Sequence, residues 1–374
     1  MREDQIYWVA LNRVKGIGAV RLRSLLDHFG DAQAAWEAQP GALAAAGLTP
    51  ILIDSLVEVR QQLDLARLAE ELDKHHIQVL TWQDENYPRR LSEIDQSPPI
   101  LYVRGELQTD DEWAVAVVGT RRISRYGRQV AEELGAFLAH HGITVVSGLA
   151  RGVDAVAHQA ALNAGGRTLA VMAHGLDTVY PNEHRGLAEG IMQQGALISD
   201  YGVGVPPDSL NFPPRNRIIS GLSIATVVVE AGQTSGALIT ADFAVEQGRE
   251  VFMVPGNIYA PSSKGTNRYI QQGAQPLLHF DELLQVLDLT QITQHKTARV
   301  VLPENSTEAL LFGLLGHEPL HINEIGALAE MPIHQVSSTL ALMELKGLVR
   351  QVGGMSYVAA RELPAEYNVE AKTE

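Results

Sequence analysis

The sequence has 374 residues, more than one compact hydrophobic core normally serves, so we expect two or three domains. It contains no cysteine, which excludes disulfide bonds, thiolate catalysis and cysteine-ligated zinc. No run of about 18 apolar residues occurs and the first residues carry charges, so we expect a cytoplasmic protein with no membrane span and no signal peptide.

The formal net charge of −15 argues at first against a nucleic-acid partner. The excess of acid, however, lies mainly outside the centre of the chain. Residues 112–299 carry 14 Lys and Arg against 16 Asp and Glu, whereas residues 61–111 carry 5 against 11. Within the centre, residues 119–128 hold four arginines and no acid. Because salt screens charges beyond roughly 10 Å, a local basic site on this acidic protein is feasible.

The first predicted elements are helices, and we expect residues 1–80 to form a helical domain. Its segment Val14–Gly30 has a Gly-Ile-Gly turn between two apolar helical patterns. This turn is typical of a helix-hairpin-helix, whose backbone amides can face a phosphate, but a plain helical hairpin explains the pattern equally well. Residues 81–111 are punctuated by prolines, and we expect a linker that packs on the following domain.

The next part, residues 112–290, alternates apolar strands with helical segments. Near-continuous apolar strands of this kind are typical of a parallel sheet that is covered by helices on both faces. The sequence therefore predicts a doubly wound, Rossmann-like α/β domain. The predicted strands are Trp113–Val118, Ile143–Val146, Thr168–Met172, Ala196–Ser199, Ile224–Val229 and Glu250–Val254.

The last part, residues 300–362, is predicted to be a winged-helix-like domain. Three helices are expected at Thr307–Leu315, Ile322–Ala329 and Ile333–Lys346, followed by a hairpin at Gly347–Ala359. Residues 300–374 carry 4 Lys and Arg against 10 Asp and Glu, a balance that would repel a phosphate backbone. We therefore expect this domain to contact a protein or to regulate the chain rather than to bind DNA.

The candidate site is expected where the parallel strands end, because ligands of open α/β sheets bind beyond the carboxyl ends of the strands. Three turns at that edge have small residues that allow an anion to approach the backbone, and the first also has paired arginines. These turns contain Gly119, Thr120, Arg121, Arg122, Ser147, Gly148, Thr234, Ser235 and Gly236.

A second group of candidates precedes the fifth predicted strand, in the segment Asn211–Ser223. Phe212 lies there beside Arg215, Asn216 and Arg217. An aromatic ring for stacking on bases, with guanidinium groups for phosphates, is typical of single-strand binding. The alternative is that Phe212 packs inside a loop and the arginines are surface ions.

Enzymatic readings fit the sequence less well. The first strand is followed by Gly-Thr-Arg-Arg-Ile-Ser rather than a dinucleotide-binding Gly-x-Gly-x-x-Gly, and there is no P-loop, so no cofactor is expected. No histidine or carboxylate cluster has the spacing of a metal site. Asp154 and His158 could share a helix face, but such a pair is more often a capping and packing contact. A nucleotide-cleaving enzyme of the phosphoribohydrolase type remains the alternative, with Glu230 as its candidate residue.

Seven motifs of this sequence, in order over about 160 residues, together resemble the DprA/Smf (DNA-processing A) family. They are VVGTRR, VSGLARGVDAVAHQAAL, GLDTVYPNEHRGL, NFPPRNRIISGLS, TSGALITADFA, VPGN and KGTNRYIQQGA. The resemblance implies a non-enzymatic homodimer that binds single-stranded DNA without sequence preference and loads RecA recombinase onto it in natural transformation.

The same resemblance implies the roles of individual residues. It implies that Arg121 contacts phosphate and that Phe212 stacks on a base. It also implies a pocket lined by Gly119, Ser147, Gly148, Arg215, Asn216 and Arg217. The loop that contains Lys264 and Asn267 is a further candidate near this pocket. Some relatives carry a lysine where this chain has Ser209, so one edge of the expected site has one cation fewer.

Overall fold

The computed structural model describes residues 2, 4–287, 306–315, 320–329, 331–345, 348–353 and 355–359. The chain divides into two compact units, Met1–Asp288 and Leu289–Glu374. In the described residues, no helix combines the length and the apolar character that crossing a bilayer requires.

The first unit begins with six helices, as the amphipathic pattern of this region predicts. Their apolar faces bury Trp8, Leu25 and Leu56 in a core that also contains Tyr102 and Leu197 of the sheet. The helices are α1 (Gln5–Asn12), α2 (Ala19–Phe29), α3 (Ala32–Glu37), α4 (Pro40–Ala45), α5 (Pro50–Gln62) and α6 (Leu65–Lys74). The N-terminal helices and the sheet therefore share one hydrophobic core.

The described strands of this unit form one nine-stranded sheet with the order β1-β2-β6-β5-β4-β3-β7-β8-β9. In this spatial order, all six neighbouring pairs of the part β6-β5-β4-β3-β7-β8-β9 are parallel, which confirms the predicted doubly wound, Rossmann-like fold. The strands are β1 (Gln78–Thr81), β2 (Ile100–Gly105), β3 (Ala114–Val118), β4 (Thr144–Ser147), β5 (Thr168–Val171), β6 (Gly195–Ser199), β7 (Ala225–Val228), β8 (Glu250–Met253) and β9 (Gln275–Pro276).

The two strands nearest the N-terminus were not expected. β2 pairs antiparallel with β6, and β1 pairs antiparallel with β2. The segment 81–111, expected as a linker, thus supplies a strand to the sheet itself. Gly105 ends this strand at φ +100°, where a Cβ would overlap the carbonyl oxygen of Gly195.

The helices of the sheet region cover both faces and place the candidate loops together. The chain order proceeds from β3 outward to β4, β5 and β6, and then returns to β7 on the other side of β3. The crevice between the loops after β3 and β7 is therefore the topological switch point of the sheet. The helices are α7 (Arg89–Ser92), α8 (Arg125–His140), α9 (Val153–Asn163), α10 (Arg185–Gln194), α11 (Phe212–Gly221), α12 (Gly236–Glu246), α13 (Lys264–Gln271) and α14 (Asp281–Val286).

The second unit has the predicted winged-helix elements, together with a short strand that was not predicted. Its described elements are α15 (Ser306–Leu314), β10 (Leu320–His321), α16 (Ile322–Leu328), α17 (Ile333–Leu345), β11 (Val349–Gly353) and β12 (Ser356–Ala359). β12 pairs with both β10 and β11 in an antiparallel sheet. The helices bury Leu311, Ile325, Val336 and Leu340 in a separate core. Lys346, the last residue of the third predicted helix, lies outside the described residues.

Candidate nucleic-acid interface

A cleft of about 750 Å³ opens at the switch point of the sheet. Its walls are the loop after β3, the loop after β7, the start of α11 and Tyr180 from the loop after β5. Ten predicted candidates line it: Gly119, Thr120, Arg121, Arg122, Phe212, Arg215, Asn216, Thr234, Ser235 and Gly236. The cleft is thus where the sequence places most of its candidates.

The loop after β3 is held by backbone contacts that leave its arginines free to point outward. The amide of Thr120 donates to the carbonyl oxygen of Glu230, 2.7 Å away, and so joins the loops after β3 and β7. A Cβ at Gly119 would lie 2.5 Å from Cγ2 of Val153, so only glycine fits against α9 at this point. Arg121 and Arg122 are both exposed. The loop therefore presents two permanent charges from a fixed backbone.

The Phe212 ring is the aromatic surface of the cleft. Phe212 is the first residue of α11, and Pro213 and Pro214 follow it in the first turn, where proline is well tolerated. The guanidinium carbon of Arg121 lies 5.4 Å from the centre of the half-buried Phe212 ring, and that of Arg215 lies 5.8 Å from it. Both distances are within the range of a cation–π interaction. A base that stacks on this ring would have guanidinium groups close to its own phosphate.

Arg215 supports the cleft from below rather than reaching into solvent. Its guanidinium group is buried and donates to the carbonyl oxygens of Gly148, 3.1 Å away, and Val171. Burial lowers the pKa of Arg215 to about 10, and the nearby Asp154 carboxylate acts in the opposite direction. The side chain is therefore still protonated at neutral pH. Its positive charge lies beneath Phe212 and contributes to the field of the cleft.

The loop after β4 is internal to this arrangement. Ser147 is fully buried and its hydroxyl donates to the carbonyl oxygen of Val117 at 2.6 Å. Asp154 accepts hydrogen bonds from the amides of Gly148 (3.1 Å) and Ala150 (3.3 Å). Burial raises the pKa of the Asp154 carboxyl group, and Arg215 opposes this shift. Ser147 and Gly148, predicted as site residues, shape the floor and are not exposed in the cleft.

The loop after β7 forms the opposite wall. The Ser235 hydroxyl accepts the amide of Ala237 at 3.3 Å and so caps α12. The Asn216 amide nitrogen donates to the carbonyl oxygen of Gly236 at 3.2 Å, which ties α11 to this wall. Thr234 is exposed at the rim.

Three predicted site residues lie elsewhere. Arg217 forms an ion pair with Asp200 at 3.0 Å and donates to the carbonyl oxygen of Gln96, so its charge is already paired on another side of α11. The Asn267 side chain bonds to the backbone of Gly256 and closes the loop after β8. Lys264 is exposed at the start of α13, beside this loop. The structure does not bring these three into the cleft.

Tyr180 is a cleft residue that the sequence analysis did not single out. Its ring is 45% exposed, and its centre lies 6.1 Å from that of Phe212 at an angle of 49° between the planes. The two rings form an aromatic corner rather than a parallel stack. The available signal was the tyrosine within the quoted motif GLDTVYPNEHRGL.

The residues that suggested catalysis have structural partners. The carboxylate of Glu230 is buried and accepts the amide of Ser124 at 2.9 Å, close to the start of α8. His158 is fully buried with Nδ1 2.6 Å from the Thr168 hydroxyl, so it does not pair with Asp154. The residues that the structure describes contain no group of three or more histidine, aspartate or glutamate side chains placed to hold a metal ion.

The fold and the cleft define a Rossmann-like α/β protein with arginines and aromatic rings at the switch point of its sheet. Residues 78–288 match the family model of the DNA recombination-mediator protein A, and the chain belongs to this family. Residues 2–64 match the DprA-like N-terminal HHH domain, and residues 295–355 match the DprA winged helix domain. The predicted resemblance to the DprA/Smf family is thus confirmed.

Individual relatives match over most of their length. Protein Smf of Synechocystis sp. is 35% identical over 95% of this chain and 98% of its own. Protein Smf of Escherichia coli is 40% identical over 78% of this chain and 79% of its own. The X-ray structure of DNA processing protein A from Streptococcus pneumoniae has a TM-score of 0.67 at 34% identity, covering 75% of this chain and 97% of that one.

A second solved structure concerns a relative that binds single-stranded DNA. It describes the single-stranded DNA binding mode of DNA processing protein A from Helicobacter pylori. The similarity has a TM-score of 0.52 at 29% identity and covers 57% of this chain and 97% of that chain.

Proposed function

We propose that this protein binds single-stranded DNA in the cleft at the switch point of its sheet. The observation that carries the proposal is the exposed Arg121 guanidinium group, 5.4 Å from the ring of Phe212 in an open cleft. A phosphate can bind to the guanidinium group while the adjacent base stacks on the ring. The single-stranded DNA binding named for the Helicobacter pylori relative supports the same ligand.

The cleft favours binding without sequence preference. Its exposed groups are cations, hydroxyl groups and aromatic faces, which recognise the features that all nucleotides share. A duplex would not fit this mode, because its bases are already stacked and cannot lie on Phe212. We therefore expect single strands to bind more tightly than duplexes at equal ionic strength.

The proposal extends to recombination in natural transformation. The name of the family, DNA recombination-mediator protein A, supports a role in recombination, and we propose that this chain loads RecA onto its bound strand. We also propose that it acts as a homodimer in the cytoplasm and is not an enzyme. The engagement of Glu230 and His158 in buried hydrogen bonds supports the last point, since neither residue faces the cleft.

The test is binding of fluorescent single- and double-stranded oligonucleotides to the wild-type protein and to Arg121→Ala and Phe212→Ala across a salt series. Each variant is expected to lose about 1–3 kcal/mol of binding free energy, which is roughly a 5- to 150-fold fall in affinity. Arg121→Ala should also flatten the dependence of affinity on salt, since one phosphate contact is lost. Phe212→Ala should leave that slope unchanged.

Arg128→Ala is the matched control, because Arg128 is an exposed arginine on α8 that already faces Glu132. Its affinity should stay within about twofold of the wild type, since an exposed ion pair contributes little. A wild-type protein that binds no single strand at low salt would refute the proposal. For RecA, the measurement is whether the protein accelerates filament formation on a strand that is coated with single-strand binding protein.

A further inference from the structure

The loop after β8, residues 254–263, carries the most exposed large apolar side chain of the described residues. Tyr259 is 85% exposed and its neighbour Ile258 is 71% exposed. A ring exposed in this way has a free face on which a base can stack. The cleft at the switch point does not include this loop.

The loop is rigidly braced. Asn267 bonds to both the amide and the carbonyl oxygen of Gly256, at 3.1 and 2.9 Å. The amide of Tyr259 donates to Oδ1 of Asn257 at 2.9 Å, and the Tyr126 hydroxyl donates to the carbonyl oxygen of Pro255, also at 2.9 Å. The loop that carries Tyr259 is thus tied to α13 and α8 by three hydrogen bonds and stiffened by a fourth within it. A ring held outward from a fixed loop loses little further entropy when a ligand stacks on it.

The loop continues the wall of the cleft. The amide of Gly265 donates to the carbonyl oxygen of Ala231 at 2.8 Å, and the carbonyl oxygen of Pro261 lies 3.4 Å from the position that a Cβ on Gly232 would occupy. Gly232 itself lines the cleft. Tyr259 is two residues from Pro261, so their Cα atoms are at most about 7 Å apart. A strand that leaves the cleft over the loop after β7 therefore meets Tyr259 next.

The charges along the sheet edge favour this direction over the opposite one. The loops 119–124, 229–235 and 254–263 contain two arginines and a single carboxylate, Glu230, which is buried. The loops 148–152, 172–184 and 200–211, on the other side, contain four carboxylates and one arginine. That arginine, Arg151, is paired with Glu183 at 2.7 Å, and Asp200 is paired with Arg217 of α11. Among the described residues, Asp177 and Asp208 then remain on this side without an ion pair. A phosphate backbone is attracted to the first side and repelled by the second.

We propose that single-stranded DNA leaving the cleft crosses the loop after β7 and stacks one base on Tyr259, while Lys264 binds a neighbouring phosphate. This inference rests on the proposed function and adds a second stacking position and a direction to it. Lys264 is exposed beside the loop, and the segment 254–268 contains no acid that could neutralise it. The strand would thus follow a track with two aromatic positions, Phe212 inside the cleft and Tyr259 beyond it.

The test compares a two-nucleotide with a twenty-nucleotide oligothymidylate, since the shorter one holds too few bases to fill the cleft and also reach Tyr259 beyond it. Tyr259→Ala should weaken binding of the longer strand about tenfold, within the range for loss of one base–aromatic stack. Binding of the shorter strand should change by less than about twofold, and Tyr259→Phe should behave like the wild type because it keeps the ring. Ile51→Ala is the control, since Ile51 is an apolar side chain of α5 that is 80% exposed.

The outcomes separate this inference from the proposed function. If Tyr259→Ala bound both strands as the wild type does, while Arg121→Ala weakened both, stacking on Tyr259 would be refuted and DNA binding in the cleft would be supported. If Tyr259→Ala weakened both strands equally, the ring would belong to the cleft rather than to a second position. If the wild type bound neither strand, the proposed function would fail and the track with it. A photo-crosslink from 5-iododeoxyuridine to Tyr259, formed from one end of the longer strand only, would establish its direction.

Discussion

Gly152 provides a way to move Arg121 without changing any residue that lines the cleft. It lies at the start of α9 with φ +82° and ψ −127°, a conformation that side chains with a Cβ rarely adopt. A Cβ at this position would overlap the carbonyl oxygen of Thr120 and lie 2.9 Å from Cα of Arg121. Relaxing the second contact to 3.4 Å requires the loop after β3 to shift by about 0.5 Å or more.

Gly152→Ala is expected to lower the free energy of unfolding by about 2–5 kcal/mol, from backbone strain together with overpacking. It should also weaken single-strand binding about tenfold, because the displaced guanidinium group loses part of its charge-assisted contact with phosphate. Unfolding can be followed in urea by tryptophan fluorescence, since all four tryptophans lie between residues 8 and 113 of the first unit. Affinity is measured with the oligonucleotides described above.

The matched control is Gly165→Ala, just beyond the other end of the same helix. Gly165 also has a positive φ of +74°, but a Cβ there meets no atom within 4 Å. For Gly165→Ala, the free energy of unfolding should fall by only about 1–2 kcal/mol, from the strain of the left-handed conformation, and DNA binding should be normal. The reasoning would be refuted if Gly152→Ala were as destabilised as the control and bound single strands as tightly as the wild type.

Two further predictions concern pH and the arginines. Burial lowers the pKa of His158 to about 3, from an ordinary 6.5, so the unfolded chain takes up a proton below pH 6.5 that the folded protein does not. Stability should therefore fall as the pH decreases, by about 2 kcal/mol between pH 7.5 and 5 from this group alone. In urea unfolding, the stability of His158→Gln should decrease less than that of the wild type as the pH falls from 7.5 to 5. An equal decrease in the two proteins would contradict the lowered pKa of His158. Arg217→Ala should bind single strands within about twofold of the wild type, since Arg217 is paired with Asp200 outside the cleft, and a tenfold loss by fluorescence anisotropy would show that it contacts DNA.

The strands and the main loop of the site were predictable because their signals are local. Runs such as Ala114–Val118 are fully buried, and a buried parallel strand has to be apolar along its whole length. Once the strands are known, the carboxyl edge follows from topology, and with it the position of Arg121. β2 was harder to predict, since its apolar run follows two prolines and it pairs antiparallel with a strand almost a hundred residues away.

The position of Arg217 could not be predicted until its segment was known to be a helix. The sequence analysis assigned no helix to Asn211–Ser223, so its arginines were taken as one group with Phe212. On α11, Arg215 and Asn216 are three and four residues from Phe212 and share its face, whereas Arg217 is five residues away and points to another side. The two prolines after Phe212 were the signal of a helix start. Tyr180 depends on the fold of the loop after β5, for which the sequence contains no periodic signal.

The antiparallel strand β2 has a consequence for where this chain can be divided. It covers the outer edge of β6, and its Tyr102 hydroxyl donates to Asn12 of α1 at 3.1 Å. A shortened version that began at residue 112 would leave β6 with a row of unpaired amides and carbonyls, which is a template for aggregation. The segment 81–111 and the sheet are therefore one piece for expression, and residue 112 is not a point at which to divide the chain.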